Sequence, residues 1–149
     1  MSKVLLHDPG RGEEVTRRVR ALTRDMTPRW GKMSVDQMLH HCNLVLMESL
    51  GEHTGERNIK GLPQALVRWA IIGLPWGKSA PTRPDLFVRQ GEHYDFDAEH
   101  ARCLSMIERF LAQPMDAPWP RAANFPMTGR HWSRLQYKHL NHHLTQFGV

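Results

Sequence analysis

The sequence predicts an all-α protein built as a four-helix bundle. Three observations carry that expectation. Four segments repeat apolar residues at helical spacing, two of them open on capping-box or N-cap residues with a hydrophobic staple, and no stretch of any length alternates with a strand period. The chain has 149 residues, 40% of them hydrophobic and 23% charged. That fits one domain, residues 1–149, with a core of its own.

The first helix is expected to start at Asp8-Pro9, with proline in the first helical position. Val15, Val19 and Leu22 then repeat to about Thr23. The second is more strongly marked. Ser34 and Gln37 form a Ser-x-x-Gln capping box, Met33 and Met38 stand at staple positions, and Gly51 follows the end of a helix running from Val35 to about Leu50. A polar stretch continues through Lys60. Leu62 to Leu74 is very apolar and reads as a short helix opened by Pro63 and closed near Gly73. Pro75, Gly77, Pro81 and Pro84 then break regular structure repeatedly, so residues 75–94 read as a loop. The whole insert is either a packed crossover, a lid or a dimer contact. Asp95 or Asp97 caps the third main helix, whose inner face carries Leu104, Ile107, Phe110 and Leu111 and which ends before Pro114. Thr128 caps the last helix, with Met127 and Trp132 at staple spacing.

That last helix carries the most informative feature. With Trp132 set at zero on a helical wheel, Leu135, Gln136, His139, Leu140, His143, Leu144 and Phe147 fill one apolar arc. Arg130, His131, Arg134, Lys138, Asn141 and Thr145 fill the other side. His139 and His143 lie near the middle of the apolar arc, about 40° apart. His142 lies at its edge. Two inward imidazoles either share a metal ion or need other buried partners. On the second helix His41 sits at the edge of the apolar arc and can turn inward, whereas His40 points to the polar side with Asp36, Asn43 and Met47. Glu48 and Gln37 lie on the His41 side, as candidate acceptors for an imidazole N–H. Glu48 is also a candidate proton-transfer group. His7, near the chain's start, and His53, His93, His100 and His131, on polar stretches, need no function. Trp30 and Trp132 line a pocket or belong to the core.

Net charge is +5, with Arg11, Arg17, Arg18, Arg20 and Arg24 grouped in the first helix. Glu13 and Glu14 interrupt them, and no continuous basic face or nucleic-acid motif accompanies them, so a solvated helix face is expected and nucleic-acid binding is not. No apolar run approaches a membrane span, and no signal-peptide core is apparent. Cys42 and Cys103 are too far apart in sequence to form a close-spaced ligand pair and read as buried thiols, consistent with a cytoplasmic protein.

The segment WGKMSVDQMLHHC, followed far downstream by YKHLNHHLTQFGV, resembles the DinB/YfiT-like superfamily of metal-binding helical proteins. Within it the chain is similar to a branch with a Trp-Gly-Lys-Met start and a His-x-x-His-His-Leu-x-Gln-Phe-Gly tail. The resemblance implies an up-down-down-up bundle with a long crossover between the second and third main helices. It also implies metal ligation by His41, His139 and His143, the three histidines that the wheels turn inward. One departure concerns Asn124 to Gly129, which keeps only loosely the His-Pro-x-Phe-Gly segment of related chains.

Three neutral imidazoles leave an ion its full positive charge and an open position, where water or a thiol becomes more acidic. The resemblance implies a metal-dependent enzyme, either a hydrolase or a thiol-dependent transferase, acting on a small-molecule substrate. The expected cofactor is one divalent transition metal, with zinc first and nickel or iron next. The alternative is a non-catalytic, metal-stabilised helical module that binds a partner. A cavity opening onto the ion would favour the enzyme, and a closed centre the module. Homodimers are common in the superfamily, and the apolar insert Leu62 to Trp76 is the expected contact.

Overall fold

The computed structural model describes residues 3–53, 62–80, 82–120 and 126–149. Much of the polar stretch that ends at Lys60, and Asn124 and Phe125 of the departing segment, lie outside them. Among the described residues the structure is all helical, without strands: α1 (Arg11–Arg20), α2 (Val35–Ser49), α3 (Gln64–Gly73), α4 (Phe96–Ala112) and α5 (Gly129–Gln146), with a 3-10 turn at Pro84–Leu86. No helix is long and apolar enough to cross a membrane.

α1, α2, α4 and α5 form a closed ring. α1 packs on α4 and α5, and so does α2, while α1 and α2 lie across the core from each other. The ring order is therefore α1, α4, α2, α5. Its core is sealed by Leu6, Val15, Met38, Leu39, Leu46, Ile107, Phe110, Trp132, Leu140 and Leu144, all nearly inaccessible. Trp132 is core, and its indole N–H donates to Pro120 O at 2.8 Å.

α1 starts later than its sequence predicts. The Asp8 carboxylate accepts from Leu5 N, and the Asp8 carbonyl accepts from Arg11 N. These bonds close a tight turn that delivers left-handed Gly10 to the N-cap, so Pro9 stays outside the helix. α2 keeps its predicted box, with Ser34 N donating to Gln37 Oε1 at 2.9 Å. Asp95, rather than Asp97, caps α4 by accepting from Ala98 N. Asp97 instead pairs with Arg24 on the surface.

The supposed polar face of α2 is the main correction. α4 covers it. Asn43 is 1% exposed, and its amide donates to the carbonyl and the carboxylate of Glu99. His40 donates to the same carboxylate at 3.0 Å and stacks on Tyr94. One polar helix face meets another here, with the hydrogen bonds made across the contact. Arg18 likewise leaves the expected solvated face and bonds to Asn141 on α5. His7 is docked, its Nδ1 against Ser133 Oγ at 2.9 Å. His100 donates to Val19 O, and His131 joins the Thr128 capping box of α5. Cys42 and Cys103 are buried free thiols, and burial raises both pKa values, that of Cys103 to about 12.

α3 is a packed crossover lying on α5. Val67 and Ile72 face inward, while Leu62, Leu66, Trp69 and Leu74 remain exposed. Lys138 of α5 closes the C-terminus of α3 by donating to the carbonyls of Ile71 and Leu74. A cation is favourable at that end of a helix dipole.

Candidate metal centre

α2 and α5 bring His41, His139 and His143 together. The three are 5%, 5% and 7% exposed, and one ring nitrogen from each lies within 4.8 Å of the other two. The rings stand edge to face around a common point, with centroids 4.7–5.0 Å apart. The spacing follows from sequence: four residues separate His139 from His143, one turn on one face.

Two of the rings are oriented by hydrogen bonds. His41 Nδ1 donates to Leu86 O at 2.8 Å, and His143 Nδ1 donates to Gln146 Oε1 at 2.9 Å. Each bond leaves Nε2 as the free lone pair, the arrangement that metal-ligating histidines adopt. His41 Nε2 and His139 Nε2 are 2.9 Å apart. Two nitrogens bound at 2.0–2.1 Å to one ion stand about 2.8–3.4 Å apart, so this pair has ligand spacing. His139 Nδ1 is buried with no partner, so this ring, unlike the other two, has no outer hydrogen bond to orient it. Burial lowers all three pKa values. It is the largest cause in each case, with the neighbouring imidazoles adding to it, and His143 falls to about 3. The rings are therefore neutral near pH 7, the form that binds metal. The donor set and its orientation fit a divalent transition metal.

His40 and His142 stay outside. His40 belongs to Glu99 and Tyr94. His142 packs edge-on against His143, Trp30 and Trp76. Glu48 is buried on α2 but bonds to Arg83 Nη1 at 2.6 Å rather than to a histidine. Arg83 also grips Asp85, holding that carboxyl down at about 2. This pairing pins the 3-10 turn to α2, and the turn presents the Leu86 carbonyl to His41. Glu48 thus bonds to no imidazole and is linked to His41 only through Arg83 and the turn. Gln37 is consumed by its capping box and by Glu92 O, so it does not serve an imidazole.

Sequence reasoning missed Gln146. It is 4% exposed, and its Nε2 donates to Trp30 O at 2.7 Å. Its spacing of three from His143 was the available signal. The contact brings the Trp30-Gly31-Lys32-Met33 segment against the Gln146-Phe147-Gly148 tail. Arg29 N donates to Gln146 O. Gly31 has φ +83°, and a Cβ there would stand 2.6 Å from Gln146 Nε2. Gly31→Ala is therefore expected to strain the backbone and push the Gln146 amide off its partners. The expected costs are about 1–2 kcal/mol of stability and about tenfold in metal affinity. Denaturant melts and competition with a chelating indicator measure the two effects, and unchanged affinity would show that Gln146 does not orient His143.

Comparison of the chain with protein-family models, with curated proteins and with solved structures finds no match.

Proposed function

We propose that the chain is a DinB/YfiT-like protein that binds one divalent transition metal, zinc first and nickel or iron next, on His41, His139 and His143. The observation that carries this reading is the convergence of one ring nitrogen from each histidine within 4.8 Å. The motif pair and the closed helix ring support the superfamily. The up-down-down-up order is supported by the long segment between Ser49 and Phe96, which is ample to return the chain along α2. That helix has 15 residues and is about 22 Å long.

A three-histidine ion supplies Lewis acidity and acidifies a water or thiol beside it. The chain's own part is positional. Leu86 O and Gln146 Oε1 hold two imidazoles with Nε2 inward, and the packed ring keeps bulk water from the ligands. We read the centre as serving hydrolysis or thiol-dependent transfer on a small-molecule substrate. The low exposure of the three ligands favours a second reading, a non-catalytic metal-stabilised module.

Cobalt substitution separates the two. The visible spectrum of the cobalt protein should shift on adding azide or a small thiol if the ion has an open position. A spectrum indifferent to both would leave the module.

We further propose a homodimer through the outer face of α3. Leu62, Leu66, Trp69 and Leu74 are between 43% and 53% exposed, and soluble monomers avoid large apolar patches. Light scattering at micromolar concentration should give twice the chain mass, and Trp69→Lys should give the monomer. A monomeric wild type would refute the dimer.

A further inference from the structure

A cavity lies on the face of α5 that the wheel assigns to solvent, beside the histidine centre. Its volume is about 330 Å³, at the small end of the range for small-molecule sites. The indoles of Trp30 and Trp76 both stand edge-on to the His142 ring, with centroids 5.8 and 6.0 Å away. Each indole carries a lysine: Lys78 Nζ is 5.5 Å from the Trp30 ring and Lys138 Nζ is 4.4 Å from the Trp76 ring. Among the described residues no carboxylate side chain lines the cavity.

The polar atoms there are biased toward donors. Arg18 engages the side-chain oxygens of Asn141 and Thr145, giving one hydrogen bond to Asn141 Oδ1 at 2.7 Å and one to Thr145 Oγ1 at 3.1 Å, while the His142 ring keeps one donor and one acceptor nitrogen. Asn141 is left with its amide hydrogens and Thr145 with its hydroxyl hydrogen. Trp30 Nε1 is a buried donor with no acceptor. Lys138 spends its hydrogens on α3 carbonyls, so it acts as a fixed charge, whereas exposed Lys78 is free to close on a ligand.

Cations, donors and flat aromatic walls without a counter-anion call for one kind of occupant. We propose that this cavity binds a small planar carboxylate, its ring packed against the indoles and its oxygens taken by Lys78 and Asn141. The site does not rest on the metal reading. His142 and Trp76 pack against the backs of His143 and His139, with centroids 5.1 and 6.0 Å apart, so the two sites are neighbours separated by one layer of rings.

Calorimetric titration of the purified protein with 1-naphthoate tests this, with 1-naphthamide, acetate and inorganic phosphate as comparisons. Naphthoate should bind saturably, and the other three should each bind at least about tenfold more weakly, because each lacks either the charge or the planar surface. Lys78→Gln, at an exposed position, should weaken naphthoate about three- to tenfold while leaving the melting temperature unchanged. Trp30→Leu should weaken it likewise. His41→Ala, which removes a metal ligand that does not pack against the cavity wall, should leave it intact. Equal binding of naphthamide would make the cavity an apolar slot, and equal binding of acetate or phosphate a bare charge site. An unaffected Lys78→Gln variant, or loss of binding in His41→Ala, which would assign the probe to the metal centre, would also overturn the proposal.

Discussion

His139→Ala is expected to bind metal more than about 100-fold more weakly than the wild type, beyond the roughly 10–100-fold that loss of an outer partner costs. His139 packs closely on both other ligands: its Nε2 is 2.9 Å from that of His41, and its ring meets that of His143 at 4.7 Å. Its removal leaves two nitrogens on different helices. His41→Ala and His143→Ala should behave alike. His40→Ala and His142→Ala are the informative controls, since one ring serves Glu99 and the other lines the neighbouring cavity. Both should keep the ion. Elemental analysis of the five purified variants reads the result. Full occupancy in His139→Ala would overturn the ligand assignment, as would loss in either control as complete as in His139→Ala.

Chelation is expected to lower stability by about 3–4 kcal/mol when free metal had stood at 100–1,000 times its dissociation constant, because ligand binding to the native state alone stabilises it by mass action. The helices should survive. Trp132, Phe110, Leu6, Ile107 and Leu140 are buried without reference to the three imidazoles, unlike the core of a zinc finger, whose folding free energy is mostly metal binding. A chelated protein without helical circular dichroism at 25 °C would contradict this.

The chelated form should also respond to pH with a definite sign. Burial lowers the pKa values of His41, His139 and His143 below the ordinary imidazole value of 6.5. The unfolded chain therefore binds protons that the folded one refuses. The apo protein should be indifferent to these groups above about pH 6.5 and lose stability as pH falls below it. The metal-loaded protein should fall more steeply, because protons then compete with the ion for the same lone pairs. Thermal melts between pH 7 and 5, with and without chelator, measure both slopes.

Much of this molecule was legible from local pattern. The Ser34 and Thr128 capping boxes, the start of α3 after Pro63 and the inward pair His139 and His143 all depend on residues within a turn or two of one another. Helical phase is a local property, and the chain states it directly. The start of α1 was misread because Asp8 serves a turn with Leu5 and Arg11 instead of a helix with Pro9. A capping residue does not announce which of two local geometries it will close.

By itself, the sequence determined an all-helical chain and the three histidines able to face a common centre. Tertiary structure alone decided their partners and the use of the polar faces. Leu86 lies 45 residues from His41, and Trp30 lies 116 from Gln146. Glu48 reaches Arg83 instead of an imidazole, Asn43 and His40 are claimed by Glu99, and Lys138 and Asn141 line a cavity instead of facing open water. A wheel gives the direction of a side chain from its own axis. Whether that direction meets water, a second helix or a carbonyl from a distant turn is fixed only when the helices pack, because burial and hydrogen-bond satisfaction are properties of the assembled neighbours.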